Sequence, residues 1–298
     1  MKDMEKFSSF NRIIAPGNTE EDKKVFLEQI GEDFKTLSKE KIPGESIKSL
    51  EEIQICERLN DLTNQLSELY GGAVLEIDDD QVHIFDPKTV SVKDEEVGGY
   101  YDPTKQVIVL DRSISDVATA HKIGHEMIHK KSYGAMQVTT EGVVSSHYRL
   151  GFQMESRDGA EEYFRAIEEA LTEELTISLM EILDQEHTIK VNKDPEIVRR
   201  KNFDPREVQE TYPNGILLSF SYKEERDALR MLINKIIQKN KKISYVDVFE
   251  MFCKGKFSGN VLSISKLIDQ SFGKGTFRKL GEATSGKADI FTQFVEGL

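Results

Sequence analysis

No run of about 18 apolar residues occurs in this 298-residue chain, so nothing in it reads as a bilayer-spanning helix. The opening MKDMEKFSSFNRIIAPGNTEEDKK carries charges where an apolar h-region would stand, and no secretory signal is expected. Cysteine is scarce. Cys56 and Cys253 lie far apart and form neither a CxxC pair nor a disulfide framework. Two reduced, part-buried thiols in a cytoplasmic setting are the expectation. Positive charge is also short: 40 Lys and Arg stand against 53 Asp and Glu, a net −13. That balance disfavours docking on nucleic-acid phosphates or on an anionic membrane face. There is no internal repeat and no low-complexity segment. The glycines of CKGKFSGN and SFGKGTF lack phosphate-loop spacing and read as helix stops.

What is present is a globular composition, 38% hydrophobic with 16 Phe and 9 Tyr, long enough for one large domain or two to three subdomains. A helical segment, KKVFLEQIGEDFKTL, lies between two Pro-Gly breaks. From Ser46, apolar residues at threes and fours (Leu50, Ile53, Leu59, Leu62, Leu66, Leu69) mark a long amphipathic helix that ends at Gly71-Gly72. The period then changes. AVLEIDDDQVHIFDP reads as two short strands around Asp78–Asp80, and GGYYDPTKQVIVLDRS as a hairpin turning at 102–105. Ser113 and Asp116 have capping-box spacing and open a helix to about Lys131. A strand-and-loop stretch leads to a second strong helix, GAEEYFRAIEEALTEELTISLMEILDQE. Three more helical segments fill 222–280, and the last eighteen residues look polar and loosely held. The expectation is an α+β fold: a small mixed β-sheet packed on two helices, with helical N- and C-terminal regions. Its divisions fall at 1–74, 75–190 and 191–298.

The helix ending near Lys131 contains AHKIGHEMIHKK, an H-E-x-x-H pattern. His125 and His129, four apart, share a helix face and can converge on one cation. Glu126 is about 100° round from His125, where a carboxylate reaches a water on the metal without displacing it, as a general base requires. Gly124 lets a neighbouring backbone come close. Two histidines need a third protein ligand, with one position left for water. The chain lacks the HExxHxxGxxH extension, since 130–135 read KKSYGA. The downstream histidines are His147 and His187. The second helix offers Glu168, Glu169, Glu173 and Glu174. Glu169 and Glu173 share a face with Ala166, Ala170, Ile177 and Met180, and carboxylates on such a face need partners. Glu169 can bind metal directly, and Glu173 can accept the outer N–H of a ligand histidine. Periodicity does not separate this pair from Glu168 and Glu174, and an acidic surface gives the same pattern.

HEMIH followed some forty residues later by EEALTEELT resembles the gluzincin metallopeptidases, minimal bacterial ones in particular. The hairpin ahead of the motif helix and the GFQ segment before the second helix strengthen the likeness, which spans about 75–185. It implies Zn²⁺ held by His125, His129 and Glu169, with Glu126 as base and Glu173 behind a ligand histidine. Two departures stand out: Glu168 where Asn is usual, and Glu173 where several members carry Asp. The implied activity is zinc-dependent hydrolysis of peptide bonds, by a metal-bound water that Glu126 activates. The implied partner is a peptide or protein substrate lying along the strand Gln106–Leu110. His147 and Tyr163, with Tyr148 and Arg165, are candidates for steadying the transition state. The alternatives are a narrow regulatory protease that cuts one partner, and a non-catalytic zinc-stabilised interaction module.

Overall fold

A computed structural model describes residues 41–86, 98–138, 144–189 and 222–298, apart from 104, 114, 115, 157 and 287. It also describes 10–14, 210–211, 217–218 and a few isolated positions before 41. The early segment 23–37 falls largely outside the described residues; Val25 and Glu28 are helical. The described residues form an α+β fold, with small mixed sheets and more helix than strand.

Ser49 opens helix α1 (Leu50–Leu69). Its hydroxyl accepts from Glu52 N at 3.1 Å while the Glu52 carboxylate accepts from Ser49 N at 2.7 Å, so two end-of-helix donors are satisfied reciprocally. The chain beyond α1 forms one strand where two were expected. Residues 73–77 belong to no strand and are pinned by α1: Asn64 Oδ1 accepts from Leu75 N at 3.0 Å, and Asn60 Oδ1 from Ile77 N at 3.2 Å. Side-chain amides here do the work of a neighbouring strand. β2 (Val82–Phe85) then pairs parallel with β4 (Val107–Asp111), which pairs antiparallel with β3 (Gly99–Asp102). The hairpin expected around residues 102–105 is thus formed. Gln106 sits at its end with φ 59°, and its amide donates to Tyr101 Oη and the Pro103 carbonyl.

Helix α2 (Asp116–Lys131) follows β4. Ser113 Oγ makes no hydrogen bond, so the cap expected from Ser113 is not made. α2 is walled by the three-stranded sheet, by α1 and by α3 (Arg165–Gln185), and even its last-turn lysines are inside. Lys130 Nζ donates to the Gln106 carbonyl, and Lys131 Nζ to the Asn60 carbonyl and Oδ1. Burial pushes both ammonium groups down, to about 7. A Cβ at Gly124 would make ordinary contacts with Leu59 and Thr176 side chains, at 3.4 and 3.6 Å, so no close backbone approach accounts for this glycine.

The larger sheet runs β1 (Phe10–Ile14), β5 (Gly134–Val138), β6 (Val144–Leu150), β7 (Gln153–Glu155), β8 (Glu162–Tyr163), with β1 parallel to β5 and the rest antiparallel. The second strong helix therefore starts later than its pattern suggests. Residues 162–163 are strand, and α3 begins at Arg165 after Phe164, which holds φ 62°. A two-residue ribbon, β9 (Glu210–Thr211) with β10 (Leu217–Leu218), precedes the C-terminal helices. These are α4 (Lys223–Lys239), α5 (Tyr245–Ser258), α6 (Leu262–Phe272), α7 (Thr276–Ala283) and α8 (Ala288–Glu296). Gly259, Gly273 and Gly275 stop or start helices as expected, but Gly255 lies inside α5, where a Cβ would strike the Phe152 ring. The final residues are not loosely held. Phe291 and Val295 are fully buried, because α8 closes an apolar face of α4.

Two apolar clusters result. One joins α1, the three-stranded sheet, α2 and the later turns of α3, and takes Cys253 and Phe257 from α5. The other joins Phe152, Phe164 and the first turns of α3 to α4–α8. Both cysteines are buried and unpaired, and burial drives each thiol to about 12.

Candidate metal centre

α2 and α3 pack side by side, and the carboxylates of α3 face the histidines of α2. His125 Nε2 and His129 Nε2 are 3.2 Å apart, and each is 3.3 Å from Glu169 Oε2. Among the described residues these three form the group of His, Cys, Asp and Glu donors able to hold an ion. The near-equilateral triangle is informative. Ligands about 2.0–2.1 Å from a tetrahedral cation stand about 3.3–3.4 Å from one another. The donors therefore have the spacing of three corners of such a site, and two imidazoles with a carboxylate are the donor types that zinc takes.

The outer sides of the rings have partners too. His125 Nδ1 donates to Glu173 Oε2 at 2.9 Å, and His121 Nε2 to Glu173 Oε1 at 2.9 Å. Glu173 is fully buried, and two imidazoles satisfy both its oxygens. A proton fixed on His125 Nδ1 leaves Nε2 with its lone pair turned to the centre. His129 Nδ1 is 3.3 Å from Glu168 Oε1, off the axis of a hydrogen bond. Lone pairs from two rings and an anion thus converge on one point, which is unfavourable unless something positive sits between them.

In the metal-free chain the surrounding carboxylates favour a proton on these rings. Burial alone would depress the His125 pKa, but its bonds to Glu169 and Glu173, with the charge of Glu126, hold it well above the usual value. His129 is likewise penalised by burial and raised by Glu169 and Glu168. Burial opposes ionisation of Glu169 as well, yet the two imidazoles hold its carboxyl well below the usual range. A divalent cation would displace those protons, so its uptake is coupled to proton release.

Glu126 is buried at 9% exposure, and its charge is felt by His125 and by Tyr222. Tyr222, the residue before α4, stacks on the His125 ring at 5.8 Å between centroids and 14° between planes. Burial and the charges of Glu169 and Glu126 push its phenol up, which places the ring beside both carboxylates. The residue holds φ 59°, a conformation that non-glycine residues keep only where their surroundings enforce it. Sequence reasoning passed over Tyr222. It lies outside both motif helices, and only the tertiary fold brings the residue before α4 onto the His125 ring.

Of the other candidates, Arg165 is near enough for its charge to act on Tyr222. Tyr163 turns its hydroxyl to Glu161 and its ring to the second cluster, because β8 faces α7. His147 lies on β6, paired opposite Met136, and its side chain is outside the described residues. Arg165 is paired with Glu162 at 3.8 Å. His187 follows α3 and joins none of the three donors. The strand expected to receive a substrate, β4, is the middle strand of its sheet, with both edges taken by β2 and β3, so no added strand can pair there. No family model, no curated protein and no solved structure matches the chain.

Proposed function

We propose that the chain is a zinc-dependent peptidase acting on peptide or protein substrates. The observation that carries this reading is the triangle of His125 Nε2, His129 Nε2 and Glu169 Oε2 at 3.2–3.3 Å, with Glu126 next in chain to the first donor. When bound, a divalent ion in that triangle supplies Lewis acidity, polarising a carbonyl and acidifying a water. Every other step falls to side chains. Glu126 takes the proton of the attacking water and returns it to the leaving amine. Glu173 keeps the His125 ring oriented with its proton on Nδ1. Tyr222 supplies an O–H donor beside the carboxylate of Glu169, where the carbonyl oxygen of a substrate gains negative charge.

The setting we propose is the cytoplasm, with no nucleic-acid or membrane partner. Two separate buried thiols and a net charge of −13 support it, and no described helix is long and apolar enough to cross a membrane.

Purified protein should contain about one zinc per chain by elemental analysis. Its cleavage of a peptide library should stop on chelation and return with added zinc. Cleavage that survives complete metal removal would end the proposal. Zinc retained without cleavage of any peptide would favour a metal-stabilised interaction module, and cleavage confined to one protein partner a regulatory protease. Tyr222→Phe should lower kcat by about 10²-fold with metal content unchanged. A kcat within a few-fold of wild type would remove Tyr222 from the chemistry.

A further inference from the structure

Lys256 lies on α5, far in sequence from the motif helices, and is fully buried. A buried ammonium is costly unless it is paired and hydrogen-bonded. Lys256 Nζ meets Glu168 Oε1 in an ion pair and donates to Thr172 Oγ1 at 2.7 Å. Glu168 is equally buried. Its Oε2 accepts from Phe152 N at 2.7 Å, and its Oε1 is the atom that stands 3.3 Å from His129 Nδ1.

The surroundings leave this carboxylate one position. Gly151 holds φ 56°, and a Cβ there would overlap the Glu168 carboxylate. Arg149 fixes the same turn against α5, donating to the carbonyls of Gly151, Gly255 and Gly259 at 2.6, 3.1 and 2.9 Å. Tyr133 N donates to the Lys256 carbonyl at 2.9 Å, so the end of α2 is tied to the same turn of α5. The two histidines of the triangle are therefore backed differently. His125 has a carboxylate shared with another imidazole, and His129 has a carboxylate neutralised by a lysine from the C-terminal helices.

We propose that Lys256 is a positioning residue of the metal centre, acting through Glu168 to hold His129 in its ligating orientation. This rests on the metal-site reading above and adds that the centre depends on a C-terminal helix. Lys256 draws Glu168 Oε1 to one side of the His129 ring. Without it the carboxylate loses its counter-ion and is no longer held on that side, so the oxygen that faces His129 Nδ1 at 3.3 Å leaves its place.

The test is a double-mutant cycle on zinc affinity in the full chain, read by competition with a chromophoric chelator and by the visible spectrum of the cobalt-substituted protein. Lys256→Met should weaken zinc binding by about 10–100-fold and alter the cobalt spectrum. Glu168→Gln should do the same, and in that background Lys256→Met should cost little more, because the two act in series. Lys256→Arg should recover part of the affinity. If Lys256→Met does not fold, the charge-neutral double variant and Thr172→Val, which removes the second partner of Lys256, carry the same comparison. A folded Lys256→Met with wild-type affinity and spectrum overturns the proposal, as do equal effects of Lys256→Met in both backgrounds. Wild-type protein that takes up no zinc would instead overturn the metal-site reading.

Discussion

Glu126→Gln should lower kcat by about 10²–10⁴-fold, with metal content and Tm close to wild type. The argument is one of placement. Glu126 follows His125 on α2, so it is turned roughly 100° from the ligand face and stands beside the triangle. It is not among the three clustered donors, and losing its charge removes no ligand. Glutamine keeps the volume and one carbonyl acceptor but cannot take a proton at neutral pH. The substitution therefore separates proton transfer from metal binding. Steady-state kinetics on a cleaved peptide, beside elemental analysis and a melting curve, provide the check. Retention of most of the activity would mean that another base serves the reaction. Loss of metal together with activity would place Glu126 among the ligands.

Glu169→Ala is the second large effect, and it moves the other observable. Glu169 Oε2 completes the triangle at 3.3 Å from both imidazoles, and its side chain is 13% exposed. Changes to groups behind a metal ligand already cost about 10–100-fold in affinity, so removal of a ligand atom should exceed about 100-fold. Stability reports the same loss. Zinc at about 100 times its dissociation constant stabilises the folded wild type by about 2.7 kcal/mol, and the variant should forfeit that increment. Titrating zinc into each protein during thermal unfolding makes the comparison. An equal rise in Tm for both would exclude Glu169 as a ligand and direct attention to Glu168, whose carboxylate is held by Lys256 on the other side of His129.

The local parts of this fold were legible in the sequence, and the reason is periodicity. α1, α2, most of α3 and the β3–β4 hairpin each repeat their apolar residues at the spacing their backbone demands. His125 and His129 share a face for the same reason. The choice among Glu168, Glu169, Glu173 and Glu174 was not open to periodicity, because α3 is buried round most of its circumference. It took the packing of α3 on α2 to send Glu169 and Glu173 toward the two sides of His125, Glu168 toward Lys256, and Glu174 to Arg226 at 2.9 Å on α4. Lys256 and Tyr222 have no sequence signature, since their roles depend on contacts across 84 or more and roughly a hundred positions. The position of β4 within its sheet was equally hidden. The apolar run VIVL suits a middle strand or an edge, and only pairing with β2 decides between them.

α5 belongs to both apolar clusters at once: Cys253 and Phe257 point into one, Val248 and Phe252 into the other. It is a party wall rather than an annex. A shortened chain ending before Tyr222 would still contain every atom of the His–His–Glu triangle, yet it would expose the Phe152 side of α3 to water and strip Glu168 of its counter-ion. The smallest unit in which this centre can be studied therefore runs through the C-terminal helices, however compact the motif looks on paper.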